Sequence, residues 1–222
     1  MARGGQRIVV LAPAARLVAR VASVPLVAIV PPEFSAKTLK DFITLAKEKP
    51  GQLNFSSAGV ASTSYLSAEI FKQDAKINIV HIPYKGAPEA TTAVIRNDAQ
   101  MYFAPIPATQ ELSSTGKVRA IAINSAKRVP QLPDVPTIAE TLPNYKYESW
   151  FGVLAPAGTP QPILTKVSED IAKVLEMPDV KEKLLAQGSI PAPTTPSEFD
   201  AINKSDTERY GKILKEAGIT PQ

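Results

Sequence analysis

Five hydroxyl residues, Ser56, Ser57, Ser62, Thr63 and Ser64, fall within nine positions of a stretch that reads LNFSSAGVASTSYLSAEIF from Leu53 to Phe71. Two chemistries suit such a cluster: nucleophilic hydrolysis and capture of an anion. Hydrolysis needs a base, and the one histidine, His81, lies inside an apolar strand-like run with no Gly-x-Ser-x-Gly elbow elsewhere. A serine hydrolase is the weakest reading. Anion capture asks only for unspent donors. Ser56 to Ala61 carry no long side chain, so a ligand could approach the main chain closely. Ser62 suits the N-cap of a helix, and Tyr65, Leu66 and Ile70 repeat at helical spacing from about Thr63. The first N–H groups of that helix lack intrahelical partners and stand at the positive end of its dipole, where a carboxylate, sulfate or phosphate is favoured.

The elements that must position this turn follow from the flanking sequence. Leu17 to Val30 is strand material with Pro25 at an edge or bend. Thr38 with Asp41 makes a capping box for a helix whose inner face is Leu39, Phe42, Ile43 and Ala46, stopped by Lys49-Pro50-Gly51. Ile77 to Pro83 reads as a buried strand, followed by the turn Tyr84 to Pro88 and another helix. Gln100 to Ala104 and Val118 to Asn124 are further strands, with a weak helix around Thr109 to Ser113 between them. Alternating strands and helices argue for an α/β sheet with crossovers, in which ligands gather beyond the carboxyl ends of the strands. Gly59 to Ser64, Tyr84 to Ala87, Ala104 to Pro107 and Ser125 to Lys127 would share that edge. Ala126 to Asn144 is proline-rich and crosses the surface. Ser149 to Pro156 is a strand, and the remainder is helical, including a start at Thr195-Pro196-Ser197-Glu198. These last helices need a sheet to pack on.

Composition sets the class. The chain has 222 residues, 44% apolar, with a formal net charge of +4, enough for a sizeable core in one or two domains. The basic residues are interspersed with acids rather than gathered into a strip, which argues against a nucleic-acid partner. No cysteine is present, so disulfides and thiolate chemistry are excluded; with one histidine, a typical zinc site is excluded too, and no cofactor is expected. Residues 1–30 have early arginines and apolar runs, but Arg16, Arg20, Pro13 and Pro25 interrupt them and no convincing signal-peptide cleavage site follows.

The succession SSAGVASTSYL (56–66), IPYKG (82–86), SAKRVPQLPDVPT (125–137) and SWFGVLAPAGTP (149–160) resembles the receptors of tripartite tricarboxylate transporters, the Bug proteins, from about Leu11 to the C-terminus. That resemblance implies an α/β Venus flytrap of the type II periplasmic binding-protein kind. It also implies a missing part: nothing in residues 1–16 matches the family's first proline- and glycine-rich loop. The expected organisation is therefore a divergent segment and hinge strand (1–30), a complete second lobe (31–145), and a return strand with C-terminal helices of an incomplete first lobe (146–222). By the same resemblance the ligand-binding residues are Gly59, Ala61, Ser62, Thr63, Ser64, Tyr65, Ala104 and Trp150. Tyr65 stands where the family usually has histidine, and Ala104-Pro105 where it commonly has Asp-Asn, which points to a less polar or differently shaped ligand. Trp150 is a candidate for the cleft, with hinge packing as its plainer role.

The implied function is non-enzymatic: a periplasmic receptor that captures a small carboxylate for the membrane subunits of a tripartite transporter. The alternative is a non-binding remnant that self-associates through exposed C-terminal helices, with Val167, Ile171, Val174, Phe199 and Ile213 as the sticky positions.

Overall fold

In a computed structural model of the chain, the described residues are 15–60 and 62–216. Strand β1 (Ala15–Ser23) ends at Ser23, and Val24 with Pro25, which has no N–H to give a ladder, separates it from β2 (Leu26–Val30). The chain divides at that proline. One unit is continuous, Pro25–Glu148, and the other joins the chain up to Val24 with that from Ser149 onward.

In the continuous unit, β2 is buried along its whole length. Its neighbours are β5 (Tyr102–Pro105) and β6 (Arg119–Ile123), both antiparallel to it. Strand β3 (Asn54–Ser57) runs parallel to β4 (Val80–Pro83). A parallel bridge between Phe55 and Met101, with the Ser56 N–H donating to the Met101 carbonyl at 2.9 Å, places β3 beside the start of β5. The four strands β3 to β6 thus share one direction, and only β2 opposes them. Their carboxyl ends form a single edge, as the alternation predicts. Pairing with β5 and β6 is also why the unit begins at Pro25 rather than after Val30, and the second division falls at Ser149 rather than at 146.

Helices α1 (Leu39–Glu48), α2 (Thr63–Ala75), α3 (Ala87–Ile95), α4 (Ile106–Ser114) and the single turn α5 (Ile138–Thr141) complete this unit. The Thr38–Asp41 capping box is present in both directions, as the sequence predicts. The expected buried strand from Ile77 is shorter than its apolar run: Ile77 and Ile79 are buried, but β4 begins only at Val80, which lies at the sheet margin and is exposed.

The other unit supplies the sheet that its helices require. Strand β7 (Trp150–Pro156) pairs antiparallel with β1 from Ala15↔Pro156 to Ser23↔Trp150, and the two-residue β8 (Ile190–Pro191) pairs with the end of β1. Helices α6 (Gln161–Leu175) and α8 (Pro196–Glu216) pack on β1, and α7 (Pro178–Ala186) lies beside β8. Leu164, Leu175, Phe199, Ile213 and Leu214 are buried there. Two of the five expected sticky positions, Phe199 and Ile213, are therefore core residues, whereas Val167 and Val174 remain 39% and 48% exposed. The first strand, read as hinge material, is one on which α8, the helix that carries Phe199 and Ile213, packs. Among the described residues no helix is long and apolar enough to cross a membrane.

Candidate functional site

Strand β3 delivers the small-residue turn to the carboxyl edge of the continuous unit. Gly59 has φ +123°, a conformation that side-chain-bearing residues rarely adopt. Ala61, one of the expected ligand residues, lies outside the described residues. Ser62 is the N-cap of α2: its hydroxyl oxygen accepts from the Tyr65 N–H at 3.2 Å. The N–H groups of Thr63 and Ser64 stand in the first turn with no acceptor among the described residues, and the exposed Thr63 hydroxyl is likewise uncommitted. Helices α1, α5 and α8 answer their own positive ends with Asp41, Glu140 and Glu198, whereas α2, like α4 and α6, has no acidic residue in its first turn. An anion from outside would complete it.

The other hydroxyls of the cluster are spent on one another. Ser62 and Ser64 hydroxyls lie 2.9 Å apart, the Ala58 N–H donates to Ser64 Oγ at 3.1 Å, and Ser64 also bonds the buried Tyr102 phenol. Burial drives Tyr102 up to about 12, with the Ser64 bond opposing the shift. Ser64 itself is buried, so its hydroxyl shapes the turn and its N–H is the part that can face a ligand. Further back, the Thr63 carbonyl accepts from Ser67 Oγ at 2.8 Å and from the Tyr147 hydroxyl at 3.4 Å. Asn124 joins the same layer, accepting from the Leu26 N–H at 2.7 Å and donating to Ser67 Oγ at 3.1 Å. None of Tyr102, Asn124 and Tyr147 is visible as a site residue from spacing, because each arrives from a different strand or loop.

Ser57 and His81 form a pair that the sequence does not announce. Their Oγ and Nε2 atoms are 2.7 Å apart. The pairing looks like a nucleophile with its base, yet Ser57 has no accessible surface, and no carboxylate among the described residues orients the imidazole. Burial, with Lys72 adding repulsion, pushes His81 down to about 4, so the ring is neutral. It is stacked on Phe55 at 4.9 Å and tilted against Tyr65 at 4.6 Å. Tyr65, buried and held up at about 12 by desolvation and by Glu69, presents its ring to this stack. Glu69 in turn pairs with Lys72 at 2.7 Å.

Two further expected ligand residues are engaged in packing. Ala104 has no accessible surface and pairs with Val27 within the sheet, so a ligand at the edge would not touch its methyl group. Trp150 belongs to the other unit, where its indole N–H donates to Asp206 Oδ2 at 2.8 Å and its ring meets Phe199 edge-on at 4.8 Å. Its polar handle is engaged in packing. Desolvation raises Asp206 against that hydrogen bond. Among the described residues no group of histidine and acidic side chains could hold a metal ion.

Parallel strands ending at a common edge, with an unneutralised helix N-terminus there, make an α/β fold with a seat for an anion at its sheet edge. The model of the tripartite tricarboxylate transporter family receptor matches residues 12–219, and the chain belongs to that family. It is 32% identical over 197 residues to the UPF0065 protein of the tcbD–tcbE intergenic region of Pseudomonas sp. strain P51, covering 88% of this chain and 59% of that one. Among solved structures, R. palustris Rpa4515 with adipate matches at TM-score 0.77 and 31% identity, over 94% of this chain and 70% of that one. MatC (Rpa3494) from Rhodopseudomonas palustris, with bound malate, matches at TM-score 0.72 and 26% identity, over 90% and 69%. The chain thus spans about three fifths of the length of the curated relative. The structural neighbours are periplasmic binding proteins of the Venus-flytrap kind, receptors and not enzymes.

Proposed function

We propose that this chain captures a small dicarboxylate in the periplasm, one carboxylate seated on the first turn of α2, for delivery to the membrane subunits of a tripartite transporter. The observation that carries the reading is the set of three uncommitted donors, the Thr63 and Ser64 N–H groups and the Thr63 hydroxyl, on a helix with no acid of its own. Bound adipate and malate in two structural neighbours support the ligand class. Gly59, Ser62 and Tyr65 shape the seat rather than hold the ligand. Closure of a second lobe would add opposing donors, and the seat alone would bind weakly.

Calorimetric titration of the chain with adipate and malate tests this. Thr63→Asp is expected to abolish the heat of binding, because its own carboxylate takes the seat, while leaving the fold as stable or up to about 1 kcal/mol more stable. Undiminished dicarboxylate binding by Thr63→Asp would refute the placement. The second reading, self-association, is favoured by exposed Val167 and Val174 on α6; light scattering across a concentration series would reveal a dimer, and a strict monomer would end it.

A further inference from the structure

We propose that His81, through Ser57, is the positioning residue of the anion-binding turn. The inference rests on the dicarboxylate reading for its functional meaning, but its structural content stands apart from that reading. Ser57 is the last residue of β3, and its hydroxyl meets three groups at once. It lies 2.7 Å from His81 Nε2, it accepts from the Gly59 N–H at 3.2 Å, and it can donate to the Gly59 carbonyl at 3.1 Å. Both backbone groups of Gly59, the one positive-φ residue of the turn among the described residues, are thereby tied to a single side chain.

The tie propagates. The Gly59 carbonyl also accepts from the Ser62 N–H at 3.2 Å, and Ser62 caps α2. The chain of contacts therefore runs from His81 to Ser57, to Gly59, to Ser62, and so to the helical turn that carries the ligand donors. A hydroxyl rotates about its own Cβ–Oγ bond, and a glycine has wide backbone freedom, so neither would hold the turn alone. The imidazole supplies what both lack. Its plane is fixed by Phe55 on one side and Tyr65 on another, and β4 fixes its backbone beside β3 through the Phe55↔His81 pairing. Either tautomer serves: with Nε2 protonated the ring donates to Ser57, which then turns its proton to the Gly59 carbonyl; with Nδ1 protonated, Ser57 donates to the ring. In both, the oxygen stays in place. His81 does not touch a ligand on the α2 turn. It acts by keeping the donors preorganised, so that binding does not have to order them.

The test uses His81→Phe, which keeps an aromatic ring in the stack and removes the hydrogen bond, and His81→Gln, whose amide can reach Ser57. Backbone amide exchange of Gly59 and Ser62 is followed by NMR in the ligand-free chain, and adipate affinity by calorimetry. The expected result is at least tenfold faster Gly59 exchange and roughly tenfold weaker adipate binding in His81→Phe, with both restored in His81→Gln and the melting temperature little changed. Ser57→Ala should reproduce His81→Phe, and the double variant should be no worse than either. Gly59 exchange unaltered in both His81→Phe and Ser57→Ala would overturn the proposal, as would full adipate affinity in a variant whose Gly59 has loosened. If the unmodified chain binds neither adipate nor malate while Gly59 loosens as expected, the dicarboxylate reading falls and the positioning role stands.

Discussion

Gly152 on β7 offers the sharpest check on how α8 covers the sheet. A Cβ added there would sit 2.2 Å from Cζ and 2.6 Å from Cε1 of Phe199, and 3.3 Å from the Ala19 carbonyl oxygen. Ordinary carbon contacts begin near 3.5 Å, so Gly152→Ala demands a displacement of more than 1 Å from a ring that has no accessible surface and is held edge-on by Trp150. The ring cannot swing outward without opening the core. Overpacking of this kind costs about 1 to 3 kcal/mol, and two contacts below 3 Å put Gly152→Ala near the upper end, about 2 to 3. For a chain of this length that lowers the melting temperature by roughly 4 to 12 °C. The assay is urea unfolding followed by fluorescence of Trp150, the one tryptophan of the sequence, which packs on the very ring concerned. Phe199→Leu shortens the side chain where the clash occurs, so Gly152→Ala should cost about 1 to 2 kcal/mol less in that background. Additive effects, or a Gly152→Ala loss below about 0.5 kcal/mol, would refute the packing of α8 on β7.

Two further outcomes follow from the continuous unit. His81 is held near 4 against about 6.5 when unfolded, so the unfolded chain binds the extra proton between those values: the stabilisation from the neutral ring is complete above about pH 6.5, falls as pH drops towards 4, and then levels off. Allowing for solvent that reaches the half-buried ring, the loss is about 1 to 2 kcal/mol; it should be absent from His81→Gln, so the stability of the chain relative to that variant, measured by urea unfolding, should fall by this amount between pH 7 and pH 4.5. Asn124→Leu strands the buried Leu26 N–H and removes a partner of Ser67; a loss of about 2 to 3 kcal/mol is expected in the same assay, and a change under 0.5 would deny the amide its structural role.

Local grammar was readable where a residue's partner lies within a turn. Thr38 finds Asp41, Ser62 finds the Tyr65 N–H, and Thr195 finds Glu198, each three residues on. The parallel run of β3 to β6 followed from the alternation of apolar segments. What spacing could not tell was how the hydroxyls of the turn are divided. Ser64 answers to Tyr102 and Ser57 to His81, partners set by the fold rather than by sequence distance, so of the expected hydroxyl donors Ser62, Thr63 and Ser64 only Thr63 stays uncommitted, beside two backbone N–H groups. Nor could it place β2. An apolar run of five fits a strand in either unit, and only its pairing with β5 and β6 decides. Nor does spacing show that Ala104, near a strand's end, has no accessible surface.

The division at Pro25 and Ser149 has a consequence in time. As the chain is synthesised, β1 emerges early, but its ladder partner β7 begins only at Trp150, after the whole continuous unit has been made. At ordinary elongation rates that interval is on the order of ten seconds. The continuous unit holds all its own strand partners and can close within that window, while β1 waits with Leu17, Val18 and Val21 unpaired. Arg16 and Arg20 interrupt that apolar strand, the kind of charged gatekeeper that discourages a waiting edge from joining a neighbouring nascent chain. Both are later absorbed by late-made residues: Arg16 by the Thr159 carbonyl and Gln161, Arg20 by the Ala192 carbonyl at 3.2 Å. The same two side chains thus guard the strand before its partners exist and fasten it once they do.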